Sequence, residues 1–372
     1  MPSLGERLCK KRESLGLTRA QAARITGLEN QQTLYKIEKG LRKVQIDELI
    51  ALSKAYAFDV NLFLLSDQPT QNANIFWRAE KKPSKPVKKK FELKLKMFLD
   101  RFIHLQKILG KEKIGTKLSN ITLQLSSLDD AAETGEQYSK MLNLGDRPAL
   151  VFKEILEEEY NLPIFFLDMP DRTSAISIIT SEYAAICVNK REVAWRRNFD
   201  IAHELFHILY KQFPPKNCGG LNKDTQEIFA NVFASAFLLP RVSIEKEIKR
   251  RKGKTRLSII DLVVMACDYD VSLDALLWRL VNLGYLKRDK AEAIMECDAL
   301  KQYYKNIRRS GLEKIPYISK KYVCLVFDAF RRGLISEMRA AEYLNVTVNK
   351  INKIFADIGL MWKDDSDFEI TM

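Results

Sequence analysis

The sequence predicts an α+β fold that is mostly α: a bundle of short helices first, then a small sheet of about three strands packed on helices, then a helical carboxy-terminal unit. Three observations carry this expectation. Helical periods in residues 1–66 are broken by Gly16, Gly27 and Gly40, short β-branched and aromatic runs are confined to residues 163–188, and nearly everything after Val193 reads helical again. A length of 372 residues suits two or three domains better than one. The hydrophobic share of 46% and charged share of 29% are ordinary for globular proteins and exclude a collagen-like or largely disordered chain. Lys and Arg number 61 against 48 Asp and Glu, and the net charge of +13 favours an acidic partner, nucleic acid first.

In residues 1–66, Thr18 and Gln21 have capping-box spacing at the start of a helix that Gly27 ends. After the turn Leu28-Glu29-Asn30, a second helix runs from about Gln31 to Lys39 and closes at Gly40. Two short helices across a tight turn suggest a helix-turn-helix, with Leu34 and Ile37 inward and Gln31, Gln32, Tyr35 and Lys36 outward. Glutamine bonds the adenine edge in the major groove and lysine reaches guanine or phosphate, so these four are the candidate contacts to double-stranded DNA. Paired half-sites on an operator would suit a homodimer.

Residues 67–90 read as a basic linker, because 67–74 is polar and 81–96 holds eight lysines, one glutamate and two prolines. A helical connecting segment follows at 91–145, with Phe91, Leu95, Phe98, Leu99, Phe102 and Leu105 at helical spacing. The next domain, 146–290, is expected to open with a helix at 149–161. Strands then fall at 163–167, 175–179 and 183–188. Helices follow at 193–212, 225–238, 258–269, 272–283 and 287–305. Residues 291–372 form the helical carboxy-terminal unit, where 336–347 has either the rhythm of a second small helix-turn-helix or that of a helical cap. No apolar run approaches the roughly 18 residues of a membrane span, and the charged amino terminus has no signal-like apolar core. Cytoplasmic residence, no membrane partner and free thiols at the six scattered cysteines are the matching expectations.

Chemistry concentrates in His203-Glu204-Leu205-Phe206-His207. Two histidines four apart project from one helix face, so both imidazoles can bind one Zn²⁺, and Glu204 beside them can take a proton from the attacking water. Trp195, Phe199, Ala202, Phe206 and Leu209 form an apolar stripe on the other side of that helix. The following helix offers Glu227 as a third ligand and Asn231, four residues on, as the residue that orients a ligand histidine. Asp224 and Glu227 also have capping-box spacing, which gives Glu227 a competing role as a helix cap. The strand at 183–189 is expected to be an edge strand that holds an extended substrate by strand addition, with Tyr183, Ala185 and Cys187 along it.

Two resemblances rest on these residues. Residues 4–66, with LTRAQAARITG, YKIEKG and the later LIALSKAYAFDVNLFL, resemble the Cro/C1-type repressor domain called XRE, which implies operator binding. Residues from about 149 to 286 are similar to the ImmA/IrrE family of metallopeptidases. The matching residues are Asn189, Arg196-Arg197-Asn198-Phe199, Ala202-His203-Glu204 with His207, Glu227 with Ala230-Asn231, Phe233-Ala234, Leu238-Leu239-Pro240, and VSLDALLWRLVNLG. That resemblance implies a minimal gluzincin fold with zinc on His203, His207 and Glu227. Phe206 replaces the glycine common in the family's motif. Asp200 stands where a threonine is frequent, one turn before His203, as either a supporting acceptor or a stray acid that alters the metal's charge balance. Several members of the family cut a Cro/C1-type repressor to switch on stress or mobile-element genes, and chains that fuse both modules exist. The resemblance therefore implies a bacterial, phage or mobile-element regulator whose zinc endopeptidase cleaves a repressor, a toxin–antitoxin partner or its own interdomain segment. The alternative is a non-catalytic transcriptional regulator whose metallopeptidase-like domain senses a ligand or partner.

Overall fold

The computed structural model describes residues 3–56, 74–79, 84–111, 115–116, 118, 125–170, 172–180, 183–212, 222–251, 257–298, 300, 304 and 318–360. The amino-terminal bundle consists of α1 (Leu4–Ser14), α2 (Arg19–Thr26), α3 (Gln31–Glu38) and α4 (Ile46–Tyr56). The expected capping box is present: Thr18 accepts from the Gln21 backbone N–H while the Gln21 side chain accepts from the Thr18 N–H. Gly27 closes α2 at φ 70°, a left-handed conformation that suits glycine. Leu8, Leu15, Ala22, Leu34, Ile37, Leu49, Leu52 and Tyr56 make a separate small core. Beneath it Glu38 is buried and accepts from Arg12 and Arg19, which join α1, α2 and α3 in one ion-paired knot. Burial pushes the Glu38 carboxyl up, but the hydrogen bonds from the two guanidinium groups outweigh it and hold the net value below the usual range. The second half of the LIALSKAYAFDVNLFL pair lies outside the described residues.

Between the bundle and the central domain the structure departs from the expected linker. Residues 74–79 form a strand, β1 (Asn74–Ala79), and Lys85–Ile108 is one continuous helix, α5, with Pro86 in its first turn. Proline there removes an N–H that no helical partner would use, so the residue that looked like a breaker is a helix start. Lys85, Lys88, Lys89 and Lys90 are therefore on the helix, while Phe91, Leu95, Phe98, Leu99, Phe102 and Leu105 are buried as their spacing predicts.

The sheet adds β2 (Ile164–Leu167), β3 (Thr173–Ile179) and β4 (Ala184–Asn189), in the order β1-β3-β4-β2. β1 and β4 run antiparallel to β3, and β2 runs parallel to β4. The strand at 183–189 is thus not an edge. It lies inside the sheet with β3 on one side and β2 on the other, and Tyr183, Ala185 and Cys187 are buried in a core, so none of the three can line a substrate strand. An alternating apolar pattern reports burial of a face; which strand stands at the margin depends on partners distant in sequence.

Period-two alternation splits the strands between two cores. Ala175, Ile179, Ala184, Ile186, Val188, Ile164 and Phe166 face one; Ile176, Ile178, Ala185, Cys187, Phe165 and Leu167 face the other. The first core is covered by α6 (Leu128–Met141), α7 (Pro148–Glu158), α8 (Ala194–Gln212), α9 (Lys223–Leu238), α10 (Arg241–Arg251), α11 (Ile259–Asp268), α12 (Leu273–Asn282) and α13 (Arg288–Glu296). The helix expected at 287–305 is interrupted at Cys297, after α13 ends at Glu296, and the described residues Asp298, Leu300 and Tyr304 are helical again. The second core is covered by α5 together with α14 (Lys320–Arg331), α15 (Glu337–Leu344) and α16 (Ile351–Asp357). The carboxy-terminal unit is therefore a helical cap on the sheet. Arg101 of α5 donates to the Glu342 carbonyl at 2.7 Å, and Tyr343 Oη pairs with His104 Nδ1 at 2.8 Å, which places the chain's third histidine in this contact. Among the described residues no single helix is long and apolar enough to cross a membrane, and the five described cysteines are free.

Candidate metal centre

α8 runs across β3 and β4 with Ala202, Leu205, Phe206 and Leu209 fully buried, while His203 turns toward α9 and Glu204 toward β3. The apolar stripe is as expected at Ala202, Phe206 and Leu209, while Phe199 is partly buried and Trp195 stacks edge-on against Tyr304. Phe206 fills the space behind the histidines and contacts the rings of His207, Tyr210 and Phe233.

Glu227 reaches the histidines because it is not needed at the helix end. Asn222 caps α9 by accepting from the Thr225 N–H at 2.8 Å, two residues before the position that Asp224 would have taken. His203 Nε2 stands 3.1 Å from Glu227 Oε2 and 3.1 Å from His207 Nε2, and His207 Nε2 stands 3.5 Å from Glu227 Oε1. Ligand atoms held about 2.0–2.1 Å from a tetrahedral zinc lie roughly 3.3 Å from one another, and the separations of the two Nε2 atoms and of His203 Nε2 from Glu227 Oε2 are close to that. One atom from each residue falls within 4.8 Å of the others, so the two imidazoles and the carboxylate fit a divalent cation by position and by chemistry. Asn231 Oδ1 lies 3.0 Å from His203 Nδ1, which as the N–H tautomer donates to it and leaves Nε2 as the ligating lone pair.

Glu204 is 1% exposed, and its Oε2 accepts a hydrogen bond of 2.6 Å from the Ser177 hydroxyl on β3. Sequence reasoning missed Ser177. The available signal was a single hydroxyl in the otherwise apolar run Ala175-Ile176-Ser177-Ile178-Ile179, on the face shared with Ala175 and Ile179. His203 is 1% exposed and His207 is 7% exposed, whereas 40% of the Glu227 side chain is open, so the cluster meets solvent through its carboxylate. Asp200 is buried on α8, four residues before Glu204. The contact to His203 Nδ1 is made by Asn231.

The four expected DNA-contact residues lie together on the exposed side of α3, where Asn30 caps the helix and Gln31, Gln32, Tyr35 and Lys36 all face solvent. Arg19 stacks over the Tyr35 ring at 5.2 Å, and Thr18, Arg19, Gln31, Gln32 and Tyr35 line one open cleft of about 450 Å³ between α2 and α3.

Comparison with known families agrees with both resemblances. Residues 157–281 match the family model described as the IrrE N-terminal-like domain, a peptidase family, and residues 10–63 match a helix-turn-helix family model. No curated protein matches the chain.

Proposed function

We propose that this chain, which carries a helix-turn-helix domain at residues 10–63 and an IrrE N-terminal-like peptidase domain at residues 157–281, is a DNA-binding transcriptional regulator with a zinc-dependent endopeptidase. The observation that carries the reading is the convergence of His203, His207 and Glu227 beside a buried carboxylate, Glu204. His203, His207 and Glu227 would hold a zinc ion, and the chemistry it would supply is that of a Lewis acid toward the scissile carbonyl. Glu204 accepts the proton of the attacking water and returns it to the departing amine. Ser177 holds the Glu204 carboxyl in one orientation, and Asn231 holds the His203 ring in one tautomer. Phe206 and Phe233 keep water out behind the site.

The DNA-binding face is assigned to Gln31, Gln32, Tyr35 and Lys36, and the substrate is a Cro/C1-type repressor, another partner protein or the chain itself. Such a cut serves a stress-response, mobile-element or toxin–antitoxin circuit. A second reading, a non-catalytic sensor, is favoured by the near-complete burial of Glu204 and His203, which leaves little room for a peptide in this conformation.

Metal analysis decides first. Protein purified without a histidine tag should hold about one zinc per chain, and His203→Ala and Glu227→Ala should each lose it. Zinc retained by Glu227→Ala would remove that residue from the ligand set. Glu204→Gln should keep its zinc and lose the biological effect; an unchanged effect would favour the sensor.

A further inference from the structure

The residues that match the peptidase family contain β2, β3 and β4 in the order β3-β4-β2, which leaves β3 at one margin of that unit. In this chain the margin is covered. β1, from outside the matched region, pairs along β3 from Asn74 opposite Ile179 to Ala79 opposite Thr173, and its ladder slips at Arg78/Ala79. The register sets Phe76 opposite Ser177, the residue that bonds Glu204 at 2.6 Å. The other margin is tied off, since the Phe166 N–H donates to the Ile318 carbonyl at 2.7 Å and the Ile164 N–H donates to Glu157 at 3.0 Å. β4 is enclosed. A peptide strand lying directly beside Ser177, the residue that bonds Glu204, would run along the outer edge of β3, where β1 now lies.

We infer that the outer edge of β3 is a docking site for an extended peptide and that β1 is its resident occupant, seated where a substrate would make its backbone hydrogen bonds. The inference rests on the peptidase reading of the same site. Substrate entry then requires β1 to leave or to be the segment that is cut. The anchoring of β1 is consistent with release. Its described side chains, Ile75 and Trp77, both pack on the core across the sheet from the metal cluster. Trp77 Nε1 donates to Glu92 at 2.9 Å, its ring meets Phe91 edge-on, and Lys88 lies over it at 5.6 Å. All three partners belong to α5, and Lys89 of that helix donates to the Leu15 carbonyl at the end of α1. α5 thus touches both the end of α1 and the strand it anchors.

Hydrogen exchange on the intact, zinc-loaded chain tests occupancy without any need for activity. Amides of residues 74–79 should exchange at least about tenfold faster than those of β4, by local opening of the margin. One common slow rate for β1, β3 and β4 would make β1 a permanent strand and overturn the inference. A disulfide lock, Ile75→Cys with Ile178→Cys, joins residues that face each other in the register. The oxidised form should lose cleavage of an unfolded protein such as casein and recover it on reduction, with zinc content unchanged. Equal cleavage by the two forms would overturn the inference. Trp77→Ala offers the converse and leaves β3 intact: faster exchange of 74–79 and faster cleavage are expected, and no change in exchange counts against release. If neither the zinc-loaded parent nor zinc-loaded Trp77→Ala cuts, the peptidase reading fails, while the exchange rates still decide whether β1 opens.

Discussion

Ser177 shows how much of this site depends on one hydroxyl. Removing it leaves the buried Glu204 Oε2 without a donor it now has at 2.6 Å, so the carboxyl can rotate away from the attacking water. We expect Ser177→Ala to lower kcat about 10- to 100-fold with KM and zinc content little changed, and Ser177→Thr to restore part of the loss. Equal losses in metal content and kcat would make the residue structural only. His203, Glu204 and His207 were legible because one turn of helix fixes their relation. Glu227 was legible with Asn231 as a pair four apart, but its competing role as a cap was settled only by Asn222 taking the cap position. On the DNA-binding face, Lys36 is exposed and makes a phosphate contact in our reading. Lys36→Ala should weaken binding to all duplex sequences alike and reduce the slope of log K against log salt by about 1, measured by fluorescence anisotropy.

At the scale of the element, α9 can carry Glu227 and Asn231 to the histidines only because α6 packs against it from behind. Gly135 makes that approach possible: a Cβ there would fall 2.5 Å from the Phe233 carbonyl oxygen and 3.0 Å from the Phe237 nitrogen, both backbone atoms. Gly135→Ala should force the helices apart, cost about 1–3 kcal/mol in denaturant unfolding, and weaken zinc binding although the residue touches no ligand. Unchanged zinc affinity in a destabilised variant would show that α9 keeps its place without α6. The helices themselves were legible from periodicity and caps, as Thr18 and Gln21 illustrate. β1 was not, because six residues flanked by polar sequence show their strand character only when paired with β3 about a hundred residues later.

For the whole molecule, the two cores are joined through Glu157 at the end of α7. Its Oε1 accepts from the Ile164 N–H of β2 and from the Ser319 hydroxyl that caps α14, so one buried carboxyl links both faces of the sheet to the carboxy-terminal cap. Burial pushes its pKa from 4.5 up to about 7, against the opposing hydrogen bonds. The folded state therefore binds the proton more tightly than the unfolded one, and stability declines as pH rises from about 4.5 through 7. Glu157→Gln keeps an acceptor at the same position and removes the titration. It should flatten that decline and, at pH 8, exceed the parent by up to roughly 3 kcal/mol in chemical denaturation. A parent curve with no decline over this window would show that Glu157 is charged throughout.

The sequence by itself determined the helix-turn-helix, the pairing of His203 with His207 around Glu204 and the alternation that gives the strands two buried faces, because each depends on spacing within one or two neighbouring helices or strands. Only the tertiary structure decided the strand order, and with it the internal place of Tyr183, Ala185 and Cys187, the marginal place of β3 and the cover that β1 lays over it. The carboxy-terminal unit follows the same rule: its helices were visible, but their seat on α5 and the sheet was not. Local geometry repeats every turn or every second residue and can be read along the chain, whereas a sheet margin exists only when distant segments have chosen their partners.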